Sequence, residues 1–250
     1  MNGSPPPLPD GARVRCAFVP YPDADAWARG AAQAIAAPLR AAVAQHGRAL
    51  LLVSGGSTPA PVFAALSAMD DLPWTHIAVG LVDERVTADA AGRNDALVAR
   101  ALLRGAAQAA RFRPLLEDAQ GLDAAAAARA AGDWLQAQGD VPLIAMLGMG
   151  DDGHTASLFP ASRDLARVRA STLAYETLDA GGCPVAGAYT QRITLTPAGL
   201  ARAQARLLLL RGADKRAVFE RALAEGDPAR MPVALLFDLP GAPLQVHWCP

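Results

Sequence analysis

Residues 141–154 read Val-Pro-Leu-Ile-Ala-Met-Leu-Gly-Met-Gly-Asp-Asp-Gly-His. The apolar run Val141–Leu147 predicts a buried strand, and the glycines after it let the backbone turn tightly and approach a ligand closely. Two carboxylates share this loop with a histidine, the side-chain type whose charge changes near neutral pH. Residues 155–157, Thr-Ala-Ser, can then open a helix whose free amides attract an anion. The pattern indicates a loop that serves chemistry rather than packing.

Strand-like and helix-like segments alternate along the chain on both sides of this strand. Strands are predicted at residues 14–19, 49–53, 77–82, 111–116, 171–178, 191–195, 206–210, 233–237 and 244–248. Helices are predicted at residues 23–45, 59–66, 94–103, 122–138 and 214–225. Pro38 falls inside the first helix and can kink it. The alternation favours one α/β domain with a mainly parallel, layered sheet. We assign residues 11–250 to this domain and residues 1–10, with four prolines, to a flexible tail.

Composition excludes several classes of protein. The chain has 250 residues, 52% of them hydrophobic, and a formal net charge of −1, which excludes global disorder. No basic stripe stands out, so we expect neither nucleic acid nor a membrane surface as a partner. No apolar run reaches the roughly 18 residues of a membrane span, and the first residues lack a signal-peptide pattern. The three cysteines are far apart without a CxxC pair, which argues against disulfides and for a reducing cytoplasm.

Polar residues cluster directly after four of the predicted strands. The clusters are Ser54–Thr58, Asp83–Arg85, Gly148–His154 and Arg211–Lys215. Because the carboxyl ends of parallel strands share one edge of a sheet, where ligands bind, we expect the four clusters to form a single site.

Each cluster also has a purely structural interpretation. The stretch Ser54-Gly55-Gly56-Ser57-Thr58 is either a tight turn capped by Thr58 or a phosphate cradle, and it lacks the spacing and the lysine of a P-loop. Three cations are either surface charges or the positive charge that a dianionic phosphate needs: Arg192, Arg211 and Lys215. Since the other histidines show no partner spacing to His154, we expect no metal.

Several motifs occur in a fixed order over residues 54–215. They are Ser-Gly-Gly-Ser-Thr-Pro from Ser54, Asp-Glu-Arg-Val from Asp83, Asn94, Gly148–Pro160, Arg-Ile-Thr-Leu-Thr from Arg192, and Gly212 with Lys215. In this order they resemble the 6-phosphogluconolactonase family, and residues 150–160 are the most specific part. The resemblance implies a Rossmann-like three-layer sandwich, also found in glucosamine-6-phosphate deaminases and ribose-5-phosphate isomerases. It further implies hydrolysis of 6-phosphoglucono-1,5-lactone to 6-phosphogluconate, the second step of the pentose phosphate pathway.

The resemblance implies no metal or other cofactor, and it implies a phosphorylated sugar lactone as the small-molecule partner. We expect the chain to be a monomer or a weak homodimer.

Lactone hydrolysis requires a base that deprotonates the attacking water, and His154 is our candidate for it. Asp152 or Asp151 orients the imidazole, and loop amides or an arginine stabilise the oxyanion. Asp83 either takes part in catalysis or orders Arg85, and Arg85 also shares in binding the phosphate. The further residues assigned to binding the substrate or its phosphate are Ser54, Gly55, Gly56, Ser57, Thr58, Asn94, Gly150, Arg192 and Lys215.

The chain departs from the family pattern on the rim of the expected site. Val86-Thr87 stands where many relatives carry a tryptophan, Arg93-Asn94 replaces a usual Ser-Asn pair, and Asp151 replaces a common glutamate.

Two alternative functions follow from the same fold. An amino-sugar-6-phosphate deaminase or isomerase is expected to read Gly-His-Ile-Ala-Phe-Asn-Glu-Pro, with a carboxylate beside the histidine, where this chain has Ser157-Leu158-Phe159. A non-catalytic sugar-phosphate sensor is expected to carry a fused helix-turn-helix segment and gives no role to His154.

Overall fold

The computed structural model describes residues 16–116 and 123–250. The strands in these residues are β1 Cys16–Pro20, β2 Ala49–Val53, β3 Ile77–Leu81, β4 Asp83–Arg85, β5 Arg111–Phe112, β6 Leu143–Leu147, β7 Tyr175–Asp179, β8 Gln191–Leu195, β9 Ala205–Arg211 and β10 Leu244–Cys249. Seven of them form a parallel sheet in the order β1-β10-β9-β6-β2-β3-β5. The predicted α/β class is confirmed, whereas the proposed tail over residues 1–10 lies outside the described residues.

The helices in the described residues are α1 Ala24–His46, α2 Ala60–Ser67, α3 Asn94–Ala101, α4 Ala124–Ala137, α5 Leu165–Ala170, α6 Pro197–Leu200 and α7 Ala213–Glu225. Asp23 caps α1 by accepting a hydrogen bond from the amide of Ala26, and Gly47 ends it with a φ of 74°. Pro38 lies within this helix, which continues past it to His46.

The central strands β2 and β6 are neighbours, and every residue in both is buried. Their sequences are continuous apolar runs, as expected for parallel strands that are covered on both faces. The alanine-rich α1 packs against β2, β6, β9 and β10. Because β2 and β6 are adjacent and parallel, the loops that follow them leave the sheet side by side.

A second, antiparallel sheet in the order β4-β8-β7 corrects the sequence analysis. The segments predicted at 171–178 and 191–195 supply strands β7, Tyr175–Asp179, and β8, Gln191–Leu195, but both belong to this sheet instead of the parallel one. Asp83–Arg85, expected as a loop after a strand, is itself a strand in which Asp83 pairs with Thr194 and Arg85 pairs with Arg192. The chain changes sheets at Val82, whose amide bonds to Val53 of the main sheet while its carbonyl accepts from Leu195.

Two other elements differ from the prediction. Residues 232–237 form a 3₁₀ turn, Pro232–Phe237, in which every residue is buried. A fully buried apolar run has no periodicity that separates a strand from a helical turn, which explains the error. The strand predicted at 111–116 shortens to Arg111–Phe112 at the sheet edge. Among the described residues, no helix is both long enough and apolar enough to cross a membrane.

Candidate functional site

A cleft of about 250 Å³ opens at the carboxyl end of the central strands. Its wall includes the loop after β2, residues 54–59, and the residues that follow β6, 148–150, together with side chains of the second sheet. The sequence-predicted residues that line it are Ser54, Gly55, Gly56, Ser57, Thr58, Asp83, Arg85, Asn94, Gly150, His154 and Arg192. Three of the four predicted clusters therefore line this cleft.

His154 and Asp152 form a close pair at this cleft. Nδ1 of His154 lies 2.6 Å from Oδ1 of Asp152, and the same oxygen accepts the His154 amide at 3.1 Å. Burial acts to raise the pKa of Asp152, but the hydrogen bond and charge of His154 outweigh it and hold that pKa below its usual value. An ionised carboxylate only accepts hydrogen bonds, so Nδ1 is the donor, and in a neutral imidazole the lone pair is then on Nε2. Asp152, not Asp151, is the carboxylate that orients the ring.

The glycine-rich loop is folded by hydrogen bonds within itself. The amide of Gly150 donates to the carbonyl of His154 at 2.8 Å, and Gly153 has a φ of 78°. A Cβ atom on Gly150 would overlap Nδ1 and Cε1 of His154, so glycine is required for the backbone to approach the imidazole this closely. Gly150 thus supports the histidine as well as lining the cleft.

The helix expected at residues 155–157 is absent, and this prediction was wrong. Thr155 pairs with Leu158 in an isolated antiparallel bridge, and Ala156 between them has a φ of 52°. The Thr155 hydroxyl donates to the carbonyl of Gly148, and the amide of Ser157 donates to the hydroxyl of Thr194. These tertiary hydrogen bonds replace the helical ones, and the Ser157 amide is not available to an anion.

The loop after β2 presents unused donors to the cleft. The amides of Gly55, Gly56, Ser57 and Thr58 make no hydrogen bond to another described residue. Ser54 is buried, and its hydroxyl has no partner within the described residues. Pro59 precedes α2 without a side-chain cap, so the alternative of a turn capped by Thr58 is not observed. Unpaired polar groups at a cleft are the arrangement that a ligand completes.

Asp83, Ser157 and Asn94 form a buried network behind the cleft. The Ser157 hydroxyl donates to Oδ2 of Asp83 at 2.6 Å, and the Asn94 side-chain amide donates to the Asp83 carbonyl at 2.9 Å. A Cβ on Gly55 would overlap the Asn94 amide, so the loop after β2 rests directly on that side chain. The network ties Asp83 to two other segments of the chain, and one of these, through Asn94, supports the loop after β2.

Glu84 belongs to the predicted cluster Asp83–Arg85, but the sequence analysis gave it no role of its own. It is fully buried, and its carboxylate accepts the backbone amides of Arg85, Asn94 and Asp95 at 2.6–2.8 Å. Burial raises the pKa of Glu84 to about 7, against the lowering effect of these three donors. The side chain therefore fixes the start of α3 to β4. The only sequence signal for this role is that a charged residue stands directly after a run of residues expected to be buried.

The two arginines of the cleft are held by backbone carbonyls. Arg85 donates from Nη1 to the carbonyl of Gly92 at 2.7 Å, and its buried Nε has no partner among the described residues. Arg192 is 4% exposed and donates to the carbonyls of Tyr189 and Ala186 at 2.7 and 2.8 Å. Carbonyls fix the direction of a guanidinium without neutralising it, so both positive charges remain available to an anion.

The fourth predicted cluster lies outside the cleft lining. The Lys215 ammonium donates to the carbonyl of Met149 at 2.8 Å and pairs with Asp151 at 2.7 Å. Lys215 therefore supports the backbone that precedes the Asp152–His154 pair. Arg211 is exposed and lies over the ring of Trp27, so its predicted place in the site is not supported.

Phe159 was quoted in the sequence motif without a role, and it lies in the wall of the cleft. It is 2% exposed, and its ring centroid lies 4.4 Å from that of the His154 ring. A hydrophobic residue within a motif gives no sequence signal that separates a packing role from an active-site contact.

Known proteins resemble this chain over nearly its full length. The family model for glucosamine-6-phosphate isomerases/6-phosphogluconolactonase matches residues 22–248. The chain is 41% identical to a 6-phosphogluconolactonase of Xylella fastidiosa (strain 9a5c), over 96% of this chain and 98% of the relative. It is 44% identical to a 6-phosphogluconolactonase of Pseudomonas aeruginosa, over 89% of this chain and 90% of the relative.

The fold is similar to solved structures as well. The crystal structure of a 6-phosphogluconolactonase from Shewanella baltica OS155 superposes with a TM-score of 0.82 at 31% identity, covering 94% of this chain and 98% of that one. Both the sequence and the structural matches extend well beyond the cleft and include the parallel sheet that positions it. The chain therefore belongs to the glucosamine-6-phosphate isomerase/6-phosphogluconolactonase family.

Proposed function

We propose that this chain hydrolyses 6-phosphoglucono-1,5-lactone to 6-phosphogluconate, with His154 as the base that activates water. The relatives of 41% and 44% identity are 6-phosphogluconolactonases, and we assign the same activity to this chain because of that similarity. The observation that carries the role of His154 is its Nδ1 hydrogen bond to Asp152, which leaves Nε2 as the basic nitrogen at the cleft.

The proton can be followed through the reaction. Nε2 of His154 accepts a proton from water as the water oxygen attacks the lactone carbonyl carbon. The carbonyl oxygen becomes an oxyanion, and collapse of this tetrahedral intermediate breaks the bond to the ring oxygen. The imidazolium then returns its proton to that ring oxygen, which leaves as a hydroxyl. Asp152 stabilises the transient imidazolium without itself taking the proton.

Charge and loop donors supply the remaining requirements. Arg85 and Arg192 place two positive charges at the cleft, where they can bind the phosphate or stabilise the oxyanion. The unpaired amides of the loop after β2 and the Ser54 hydroxyl offer further donors to an anionic group. Holding the unreactive phosphate end fixes the position of the carbonyl relative to His154, which lowers the entropic part of the barrier.

The deaminase alternative receives no support from the contacts of His154. Asp152 is the carboxylate bonded to the imidazole, and among the described residues no second carboxylate bonds to it. Where the deaminase pattern places a glutamate, this chain places Phe159, whose ring packs against the imidazole.

The test is lactone hydrolysis in the presence of EDTA, with substrate generated by oxidation of glucose-6-phosphate. We expect the wild type to exceed the spontaneous rate, and His154→Ala to lower kcat by about 10²–10⁴-fold, as is typical when a general base is removed. His76→Ala, at an exposed histidine away from the cleft, is the matched control and should retain full activity. Full turnover by His154→Ala would exclude the proposed base, and loss of activity in EDTA would contradict the metal-free mechanism.

We also propose a cytoplasmic monomer or weak homodimer. All three cysteines are buried thiols, which suits a reducing compartment. Light scattering across a tenfold range of protein concentration would test the oligomeric state, and a constant dimer mass would contradict it.

A further inference from the structure

Phe159 contacts two charged or titratable side chains of the cleft at once. Its ring centroid lies 4.4 Å from the His154 ring centroid, with 37° between the two planes. The guanidinium carbon of Arg192 lies 5.4 Å from the same Phe159 centroid. One buried aromatic ring therefore packs against both the imidazole and the guanidinium.

The hydrogen bond to Asp152 does not by itself fix the imidazole plane. It holds Nδ1 at 2.6 Å from one carboxylate oxygen, but this single contact does not stop the ring from tilting towards the space that Phe159 fills, which would lengthen the bond. The close approach of the Gly150 backbone limits the Nδ1 edge of the ring. Contact with the flat, buried ring of Phe159 restricts the remaining tilt, because a tilted imidazole would overlap a side chain that is only 2% exposed.

Arg192 is constrained in a comparable way. Its Nε and Nη2 atoms donate to two backbone carbonyls, and the Phe159 ring supplies a third contact through its negatively polarised face. The position of the guanidinium and the tilt of the imidazole thus depend on the same ring.

We propose that Phe159 is a positioning residue that fixes the imidazole of His154 and the guanidinium of Arg192 relative to each other. Both groups are then correctly placed for the same bound substrate. The inference rests on the proposed function only in naming His154 as the base. The ring takes no part in the proton transfers, and its effect on the rate is through the orientation of the two groups.

The kinetic test compares Phe159→Leu with Phe219→Leu. Leucine keeps the site apolar but removes the flat face, and a misplacement of about 1 Å in a catalytic group can cost about 10²-fold in rate. We expect kcat of Phe159→Leu to fall about 10–100-fold with a smaller change in KM. Phe219 is fully buried in α7, away from the cleft lining, so Phe219→Leu should lower stability while leaving kcat unchanged. Equal kcat values for the two variants would overturn the proposal.

A spectroscopic test does not depend on turnover. The nitrogen-15 shifts of the His154 imidazole, assigned by their loss in His154→Ala, should report the Nδ1–H form in the wild type. In Phe159→Leu we expect them to move towards the average of the two neutral tautomers as the ring tilts away from Asp152, while Phe219→Leu keeps the wild-type shifts. A retained Nδ1–H form in Phe159→Leu would overturn the proposal. If the wild type hydrolysed no lactone, the proposed function would fail and this measurement would still decide the role of Phe159.

Discussion

Ser157 donates a hydrogen bond to Asp83 at 2.6 Å, across 74 positions of sequence. Both residues are buried, so the carboxylate loses a partner that water cannot easily replace if the hydroxyl is removed. We expect Ser157→Ala to lower the free energy of unfolding by about 1–3 kcal/mol, measured by urea denaturation. The Ser67 hydroxyl makes an exposed bond to a carbonyl, and Ser67→Ala should change stability by less. Equal losses in the two variants would contradict this account.

Gly150 offers a sharp test of the packing around His154. A Cβ there would overlap the imidazole, so we expect Gly150→Ala to displace the ring and to lower kcat by at least about 10-fold. Gly132 in α4 has no atom within 4 Å of an added Cβ, and its substitution by alanine should leave kcat unchanged and raise stability by about 0.5–1 kcal/mol. Wild-type kcat in Gly150→Ala would show that the imidazole has more room than the structure indicates.

Glu84→Gln tests whether the Glu84 carboxylate holds the start of α3 against β4. The substitution turns one accepting oxygen into a donor that faces a backbone amide, so the start of α3 loses a partner in a buried place. We expect a loss of about 1–3 kcal/mol in the free energy of unfolding, together with a higher KM, because Arg85 and Asn94 are held by the same carboxylate. Asp123 accepts an amide at the exposed start of α4, away from the cleft lining, and Asp123→Asn serves as the control with little effect on KM.

Substitutions at Lys215 and Asp151 distinguish two roles for the Lys215 ammonium: direct binding of the phosphate and support of the glycine-rich loop. If Lys215 acts by holding the backbone at Met149, then Lys215→Met should lower kcat and raise KM only modestly. Asp151→Asn removes the exposed partner of the ion pair while leaving the ammonium on the Met149 carbonyl, so its kinetics should stay near wild type. A large rise in KM for Lys215→Met without a fall in kcat would instead place the ammonium on the substrate.

The buried His247 is expected to make the free energy of unfolding depend on pH. Burial lowers its pKa from 6.5 to about 4, so between these values the unfolded chain binds a proton that the folded chain does not. Above about pH 6.5 the folded chain has the full stability that the neutral His247 allows. As the pH falls from there towards about 4, the free energy of unfolding decreases by up to about 1.4 kcal/mol per pH unit.

We expect urea denaturation of His247→Phe to show a flatter dependence on pH between 7 and 5 than the wild type, by about 2 kcal/mol over that range. The exposed His46, changed to Gln, should leave the slope unaltered. Parallel profiles for the wild type and His247→Phe would contradict the assignment.

The sequence predicted those features that depend on local pattern. The strands at Ala49–Val53 and Gln191–Leu195 have the predicted bounds, because each is a run of strand-forming residues that ends at a turn or cap signal. The clusters after β2, β3 and β6 also meet at the cleft as expected, because the fold class brings the carboxyl ends of these parallel strands together.

What the sequence did not reveal depends on contacts between distant segments. The pairing of Asp83–Arg85 with β8 joins residues about a hundred positions apart, and no local pattern specifies such a partner. Glu84 and Phe159 gain their roles from the amides and rings that surround them after folding, which a residue type alone does not disclose. Thr155–Ser157 carry a helix-start pattern, but hydrogen bonds to Gly148 and Thr194 outweigh that local preference.

The pairing of Arg85 with Arg192 across β4 and β8 places two cations directly opposite each other in the second sheet. Like charges in this relation destabilise a strand pair. Burial lowers the pKa of Arg192, the negative charge of Asp83 acts against this, and repulsion from Arg85 lowers the pKa in turn. Under the proposed function, an anion bound between the two guanidinium groups would relieve this repulsion, and that relief would add to the affinity for the phosphate end of the substrate. Selection for tight binding and selection for a stable empty enzyme therefore act against each other at these two positions.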